Sequence, residues 1–452
     1  MDAGFLQVES SSAPMHLGWA AVFAAPEHGP RPSFEQLREH VHGRLDRAPR
    51  YRQRLVDTPL GGGDPVWLDD ETFDIARHVR RARTRDLGAL VDDVMSSPLD
   101  RDSPLWQLWI ADLEDGCIGV VGKAHHCLVD GLAAVELMAL LLDPAPDPDP
   151  DDGRSACAWV AQSGRPRGWL LADGLLQRAR QAVKMPGQLL RWVRDPAQLA
   201  GFPGLVVRWM RTVRHAAWPL APASRLNGPL ARGRHLAWTA RPLQELQDVK
   251  DHFDTTINDV VLTVSAGALR SLMLARGEDP IDLKAMVPVS VRTPGDEWGN
   301  RLAFLFPTLP CTEPDAVRRL RGVQAEMAAR KQADEPQGAD AILSAVAQTP
   351  KPVRNLGARA LTSDRLFNLI VSNIPGPPIP LFLMGCRATR AYPIVPLDDG
   401  HGVSIGMTSV DGQACFGVYA QSRLARDADH IAPAIYRAIS ELLAATQQPA
   451  TR

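Results

Sequence analysis

Two adjacent histidines, His125 and His126, stand in the stretch KAHHCLVDG, Lys123 to Gly131, and are followed by Asp130 and Gly131 directly after an apolar run. Three chemistries want such a set. As metal ligands, His126 and Asp130 would share a helix face at i, i+4, but no second His/Asp/Glu cluster in the chain completes a shell. As core residues, the pair would be buried and satisfied by hydrogen bonds. As catalysts, an imidazole titrating near neutrality takes a proton from a hydroxyl or thiol and so activates a poor nucleophile. A catalytic ring must be fixed and presented by a tight bend. An aspartate paired with a cation elsewhere and followed by glycine would brace that bend, so Asp130 braces and does not react.

Two other nucleophile patterns compete. Gly402-Val403-Ser404-Ile405-Gly406 fits the GxSxG elbow of lipases. An elbow joins strand to helix, whereas Gly402 to Ala420 reads as two alternating runs joined by Asp411-Gly412, a hairpin that puts Ser404 inside a strand. The only histidine after it is His430, with Asp427 and Asp429 just before, too close for a triad on separate loops. Cys127, beside the histidines, has no activating neighbour visible in the sequence.

The elements that must position these residues follow from periodicity. His16 to Ala24 and Cys117 to Val121 read as strands, Ser33 to Leu45 and Val135 to Leu142 as helices. The proline–aspartate alternation of Asp143 to Asp152 can hold neither helix nor central strand and marks a boundary. Between Arg154 and Trp218 lie eleven basic residues against two acidic ones, and five of the eleven tryptophans. In that segment LVVRWMRTVRHAAW aligns Val206, Trp209, Met210, Val213 and Ala217 on one face. Such a segment either lies in a membrane interface or forms an interdomain crossover whose apolar faces pack. From Arg234 a second region begins, with Thr255 to Arg276 helical and Ala285 to Arg292 a strand. The expected organisation is 1–142, a crossover 143–233, and 234–445, of α/β or α+β class.

Bulk composition excludes much. At 452 residues, 45% hydrophobic and 23% charged with a net charge of −2, the chain is long enough for two domains and is not that of a nucleic-acid-binding protein. Six scattered cysteines with no CxxC pair argue against a zinc ribbon or a secreted disulfide framework. The N-terminus MDAGFLQVES lacks the features of a secretory signal, and no run of about 18 apolar residues is present. A cytoplasmic protein without a membrane span is the expectation.

HHCLVDG matches the HHxxxDG motif of CoA-dependent acyltransferases and peptide-synthetase condensation domains. The chain resembles, almost end to end, the bacterial wax ester synthase/diacylglycerol acyltransferase family, through six segments in order. They are DAGFLQVESSSAPMHLG, SPLDRDSPLWQLWI, TINDVVL, VPVSVR followed by GNRL, SNIPGP, and PIVPLDDGHGVSI. The resemblance implies two chloramphenicol-acetyltransferase-like domains, each a mixed sheet flanked by helices, with a tunnel between them. It implies transfer of an acyl group from acyl-CoA to a lipid hydroxyl, with acyl-CoA as co-substrate and no resident cofactor or metal. His126 would be the base and His125 an orienting residue; Asn258 would contribute to oxyanion stabilisation, with Asp259 in support. Arg292 would be the cation for Asp130, and Gly131 the bend. Pro104, Leu105 and Trp106 match the family's PLW element, a tunnel wall or packing unit. Ser372, Asn373, Pro375 and Gly376 suggest a loop beside the channel. The expected partners are acyl-CoA and a fatty alcohol or diacylglycerol, with peripheral contact to a membrane or lipid droplet, in a monomer or homodimer. The alternatives are a condensation-type enzyme on a non-lipid acceptor and a GxSxG esterase.

Overall fold

Where the sequence alternates or runs apolar, strands form and assemble into two large sheets. The computed structural model describes residues 6, 9–58, 65–128, 141–147, 159–161, 219–290, 302–332 and 363–447. The first sheet runs β13 (Phe382–Leu383), β14 (Cys386–Ile394), β1 (His16–Phe23), β6 (Ile118–His125), β5 (Trp106–Asp112), β4 (Val79–Arg81). The second runs β10 (Leu302–Leu305), β9 (Leu283–Ser290), β12 (Leu369–Ile374), β16 (Val403–Val410), β17 (Gln413–Gln421), β8 (Arg234–Pro242), with β11 (Thr308–Leu309) also on β9. Two small ribbons complete the strands: β2 (Gln53–Val56) with β3 (Val66–Asp69), and β7 (Asn227–Gly228) with β15 (Gly400–His401). Both large sheets are mixed: β4 is parallel to β5, and β12 is parallel to both β9 and β16. Asp411 and Gly412 join β16 to β17 with φ of 49° and 71°, the left-handed pair that a tight hairpin requires.

Helices cover these sheets, and several begin at side-chain caps. α1 (Phe34–Arg44) starts in a capping box between Ser33 and Gln36 and buries Leu37 and Val41, while α2 (Ile75–His78) is a single turn capped by Asp74. α3 (Leu87–Ser96) is capped by Asp86 and buries Leu87, Leu90, Val91, Val94 and Met95. Its C-terminal carbonyls are met by a buried ammonium: Lys123 Nζ, on β6, donates to Val94 O at 2.7 Å and Ser97 O at 2.9 Å. Burial lowers that lysine to about 8, and the negative end of the helix is where a cation is best tolerated. In the second half come α4 (Leu243–His252), α5 (Ile257–Ala275), α6 (Ala316–Gln332) and α7 (Ala425–Thr446). α5 has a mean hydropathy of 1.3 over 18 residues, and 67% of that stretch is buried. It packs against α7, α6 and β12 as a core helix, each fully buried Val or Leu contributing about 1.5–3 kcal/mol.

The two halves exchange elements. β14, from the C-terminal part of the chain, pairs antiparallel with β1 and so makes β1 an interior strand of the first sheet. In return α3 closes the outer edge of the second sheet: Leu236 N donates to Asp92 Oδ1 at 3.1 Å and Arg234 N to Ser96 Oγ at 2.9 Å. An edge strand satisfied in this way offers no free ladder to another chain. The sheets meet closely at a glycine notch. Gly406 and Gly417 are register partners in β16 and β17. A Cβ on Gly417 would lie 2.2 Å from Pro393 O, and one on Gly406 2.9 Å from the Pro393 ring.

The strand expected at 285–292 is β9, displaced two residues toward the N-terminus, and Arg292 lies outside the described residues. All but the last two residues of the helix expected at 135–142, and most of the basic crossover, lie there too. Of the crossover, Trp159 is described: it packs edge-on against Phe73 at 6.3 Å and lies 5.1 Å beneath the Arg52 guanidinium. Asp143, the first residue of the acidic stretch, belongs to the sheet edge: it exchanges two 2.8 Å backbone hydrogen bonds with Phe382 and pairs with Arg44.

Candidate active site

β6 is buried along its whole length and ends at His125, so the histidine pair sits where a core strand turns into a loop. Neighbours on both sides fix that turn. His125 N donates to Leu105 O and His126 N to Met15 O, both at 3.0 Å. Three of the sequence segments quoted above, those containing PMHLG, SPLW and HHCLVDG, therefore converge at one backbone position. Met15 has φ of 46°, a left-handed conformation that costs free energy for a residue with a Cβ and that often marks a functional turn.

His125 and His126 differ in what surrounds them. His125 is 2% exposed and His126 half-buried, so the second is the less enclosed of the two, although its Nδ1 is buried. The Nδ1 of His125 accepts the Cys127 amide hydrogen at 3.1 Å. Its proton therefore resides on Nε2, which faces Glu9 Oε2 at 3.5 Å. Glu9 is itself paired with Arg101. Burial, with help from Arg101, lowers His125 to about 4, so its ring is neutral. His16, directly across the ladder from His125 and edge-on to it at 6.2 Å, is lowered to about 2 by burial and nearby cations. His125 is thus a fixed, neutral ring that orients the turn.

Cys127 has a neighbour that was not visible in the sequence: its Sγ lies 2.9 Å from His125 Nδ1. The contact does not activate it. Burial raises the thiol to about 12 while the imidazole falls, the reverse of a thiolate–imidazolium pair.

The PLW element packs beneath the pair. Leu105 is 1% exposed in a cluster with Leu99 and Cys127, and Pro104 O accepts from Trp106 N at 2.9 Å. The Trp106 indole donates to Tyr51 O at 2.7 Å and stacks on His78 at 4.8 Å, so its ring and N–H are both engaged inside the protein.

The remaining predicted residues lie in the second half. Asn258 is the half-buried second residue of α5, at the positive end of the helix. Asp259 serves the helix itself: its Oδ2 accepts from Thr256 N and Thr255 Oγ1 at 3.2 and 3.1 Å, and Thr256 Oγ1 caps the Asp259 amide. Its Oδ1 is buried with no hydrogen-bond partner among the described residues. α5 packs on β12, where Ser372 and Asn373 are found. Those two residues are strand, not the loop their proline and glycine neighbours suggested; they pair in parallel with Gly406 and Met407. The loop begins at Pro375, and at Gly376 a Cβ would lie 1.7 Å from Ser409 O. Asp130 and Gly131, like Arg292, lie outside the described residues.

The GxSxG serine is sealed. Ser404 is fully buried inside β16 and donates to Val395 O at 2.7 Å. The neighbouring DDGH is likewise packed: the His401 ring stacks on Phe367 at 3.8 Å and its Nε2 meets Phe367 O at 3.0 Å. Asp398, buried there, is raised to about 7 by desolvation and by Asp399. Glu9, Arg101 and Met15 were missed as site residues, although all three lie in the quoted segments; the charged pair flanking a buried apolar region was the available signal.

Comparison with known proteins first defines the class. The chain superposes on the wax ester synthase/diacylglycerol acyltransferase from Marinobacter aquaeolei VT8 over 98% of each chain, with a TM-score of 0.68 at 24% identity. It superposes on the first condensation domain of the CDA synthetase over 99% of this chain and 94% of that one, with a TM-score of 0.57 at 13% identity. A starter condensation domain of rhizomide synthetase, solved in complex with C8-CoA, gives a TM-score of 0.57 at 16% identity over 97% and 92%. The fold is that of the two-sheet acyltransferases and condensation domains. Residues 1–261 match the model of the wax ester synthase/diacylglycerol acyltransferase catalytic domain, and residues 298–443 that of the family's C-terminal domain. Two Mycobacterium tuberculosis proteins named as diacylglycerol O-acyltransferases are 31% identical over 464 residues and 30% identical over 462. These alignments cover 98% and 99% of this chain and 89% and 96% of theirs. The chain belongs to the wax ester synthase/diacylglycerol acyltransferase family and is an acyl-CoA-dependent acyltransferase.

Proposed function

We propose that this enzyme transfers a long-chain acyl group from CoA to a lipid hydroxyl, making triacylglycerol from diacylglycerol or wax ester from a fatty alcohol, with His126 as general base. The observation that carries the reading is the division of labour at the end of β6. His125 is buried and neutral, its Nδ1 accepting from the Cys127 amide and its Nε2 facing Glu9, whereas His126, one residue on, is half-buried and its backbone is pinned. In the proposed step His126 takes the hydroxyl proton as the oxygen attacks the thioester carbonyl. The tetrahedral oxyanion collapses with cleavage of the C–S bond, and the CoA thiolate leaves with the proton that His126 returns. Asn258, at a helix N-terminus, is the proposed donor to the oxyanion. No acyl-enzyme is needed: the Cys127 thiol is held protonated, and Ser404 is enclosed. The names of the relatives support a diacylglycerol or fatty-alcohol acceptor.

The test is product formation by purified protein given palmitoyl-CoA with hexadecanol or dioleoylglycerol, for wild type and His126→Ala in parallel. Wild type should form ester and the variant, folded by circular dichroism, should lose about 10²–10⁴-fold in rate. Ester formation by the variant at the wild-type rate removes His126 as the base, and CoA release without ester replaces the transferase reading with a hydrolase.

A further inference from the structure

At the far edge of the first sheet, on its helical side, lies an open cleft of about 680 Å³. Its cations come from three elements: Arg38 from α1, Arg80 and Arg81 from β4, and Arg83 from the loop that follows, against the single carboxylate of Asp93. In a chain of net charge −2 this is a local concentration of positive charge. The arginines are unequal. Arg81 is neutralised by Asp112, at 3.0 Å, which also holds Arg31. Arg80 and Arg38 have no carboxylate partner among the described residues; each lies over an aromatic ring instead, Arg80 over Trp109 at 4.4 Å and Arg38 over Phe34 at 5.5 Å. A guanidinium stacked by its face keeps its in-plane N–H groups free, and those are the groups that grip an oxyanion two at a time. Arg83 has no ion-pair partner among the described residues.

We infer that this cleft binds a phosphate group, carried by a soluble phosphorylated molecule or by a lipid headgroup, through Arg38, Arg80 and Arg83. Its volume falls within the range of small-ligand sites. It stands apart from the histidine pair: Trp109 pairs with Val121, four residues before His125, or about 13 Å along the strand. The inference is therefore independent of the acyl-transfer mechanism.

The test uses the full chain and the exposed double variant Arg80→Gln, Arg83→Gln, with a thermal melt to establish that the variant is folded. Inorganic pyrophosphate is titrated calorimetrically, and co-sedimentation is measured with phosphatidylcholine vesicles with and without phosphatidic acid, at low salt. Pyrophosphate binding by wild type that weakens at least tenfold in the variant supports the site. Sedimentation restricted to phosphatidate vesicles and competed by pyrophosphate identifies a headgroup; pyrophosphate binding with no sedimentation on either vesicle identifies a soluble ligand. Wild type binding neither probe, or the variant binding as tightly as wild type, overturns the inference and leaves the arginines as guards of an open sheet edge.

Discussion

His125 and His126 are adjacent and chemically identical, and their surroundings give them different work. The motif was legible because two histidines, an aspartate and a glycine at fixed spacing are rare; the assignment of base and orienter rested on resemblance. What spacing could not reveal is the third party. Glu9 lies far upstream in the sequence and meets His125 only because β1 and β6 are ladder neighbours. If Glu9 fixes the His125 tautomer and thereby the turn presenting His126, Glu9→Ala should lower kcat by about 10- to 100-fold with little change in KM. Glu9→Gln, whose amide oxygen can still face Nε2, should recover part of that loss. Steady-state kinetics decides: a Glu9→Ala enzyme with wild-type kcat leaves Glu9 a mere packing residue. The serine of GxSxG was correctly read as strand, because alternation over eight residues outweighs a five-residue pattern.

Elements with a cap and an amphipathic face were readable nearly to the residue: α1 behind Ser33, α5 behind Thr256, and the hairpin at Asp411-Gly412. β12 was not, since the punctuation of SNIPGP was taken to govern residues that precede it, whereas Pro375 and Gly376 only terminate the strand. The contact of α3 with β8 carries a pH-dependent link. His235, on β8, lies 2.7 Å from Asp92 on α3 and 2.8 Å from Asp429 on α7. These two hydrogen bonds, that to Asp92 foremost, raise His235 to about 9. A raised pKa means that the folded state holds its proton more tightly than the unfolded chain. The stabilisation is therefore complete below about pH 6.5 and is lost as pH rises through about 9. Because Asp429 is 59% exposed, solvent screening leaves the effect on the order of 1 kcal/mol. Melting temperature measured from pH 6 to 9.5 should fall more in wild type than in His235→Gln; parallel curves would assign the alkaline loss to other groups.

Across the whole molecule, a pair of sheet-based halves was expected from length and from the family resemblance, but their exchange of elements was not. The strand at residues 386–394 was not among the elements read from the sequence, and which sheet a strand joins is a matter of tertiary partners that one sequence does not reveal. The glycine notch leaves the halves little tolerance. Gly417→Ala places a methyl group against the Pro393 carbonyl, part of a backbone that cannot rotate away. It should cost about 2–4 kcal/mol in urea unfolding. Gly43→Ala, in α1 with open space around its Cβ, should be neutral or stabilising by up to about 1 kcal/mol. Equal midpoints for the two variants would mean that the sheets can separate at the notch without loss.

The same exchange sets an order of events during synthesis. β1 emerges from the ribosome long before β14, so Gly18 must wait for Ile394 before its second ladder can form. At about 5–20 residues per second that delay is on the order of tens of seconds, during which an apolar strand carries an open edge. The newborn chain therefore depends on β6 and α3 to shelter β1 until residues 386–394 have been made, and the cell's chaperones have a defined interval, rather than a defined domain, to protect.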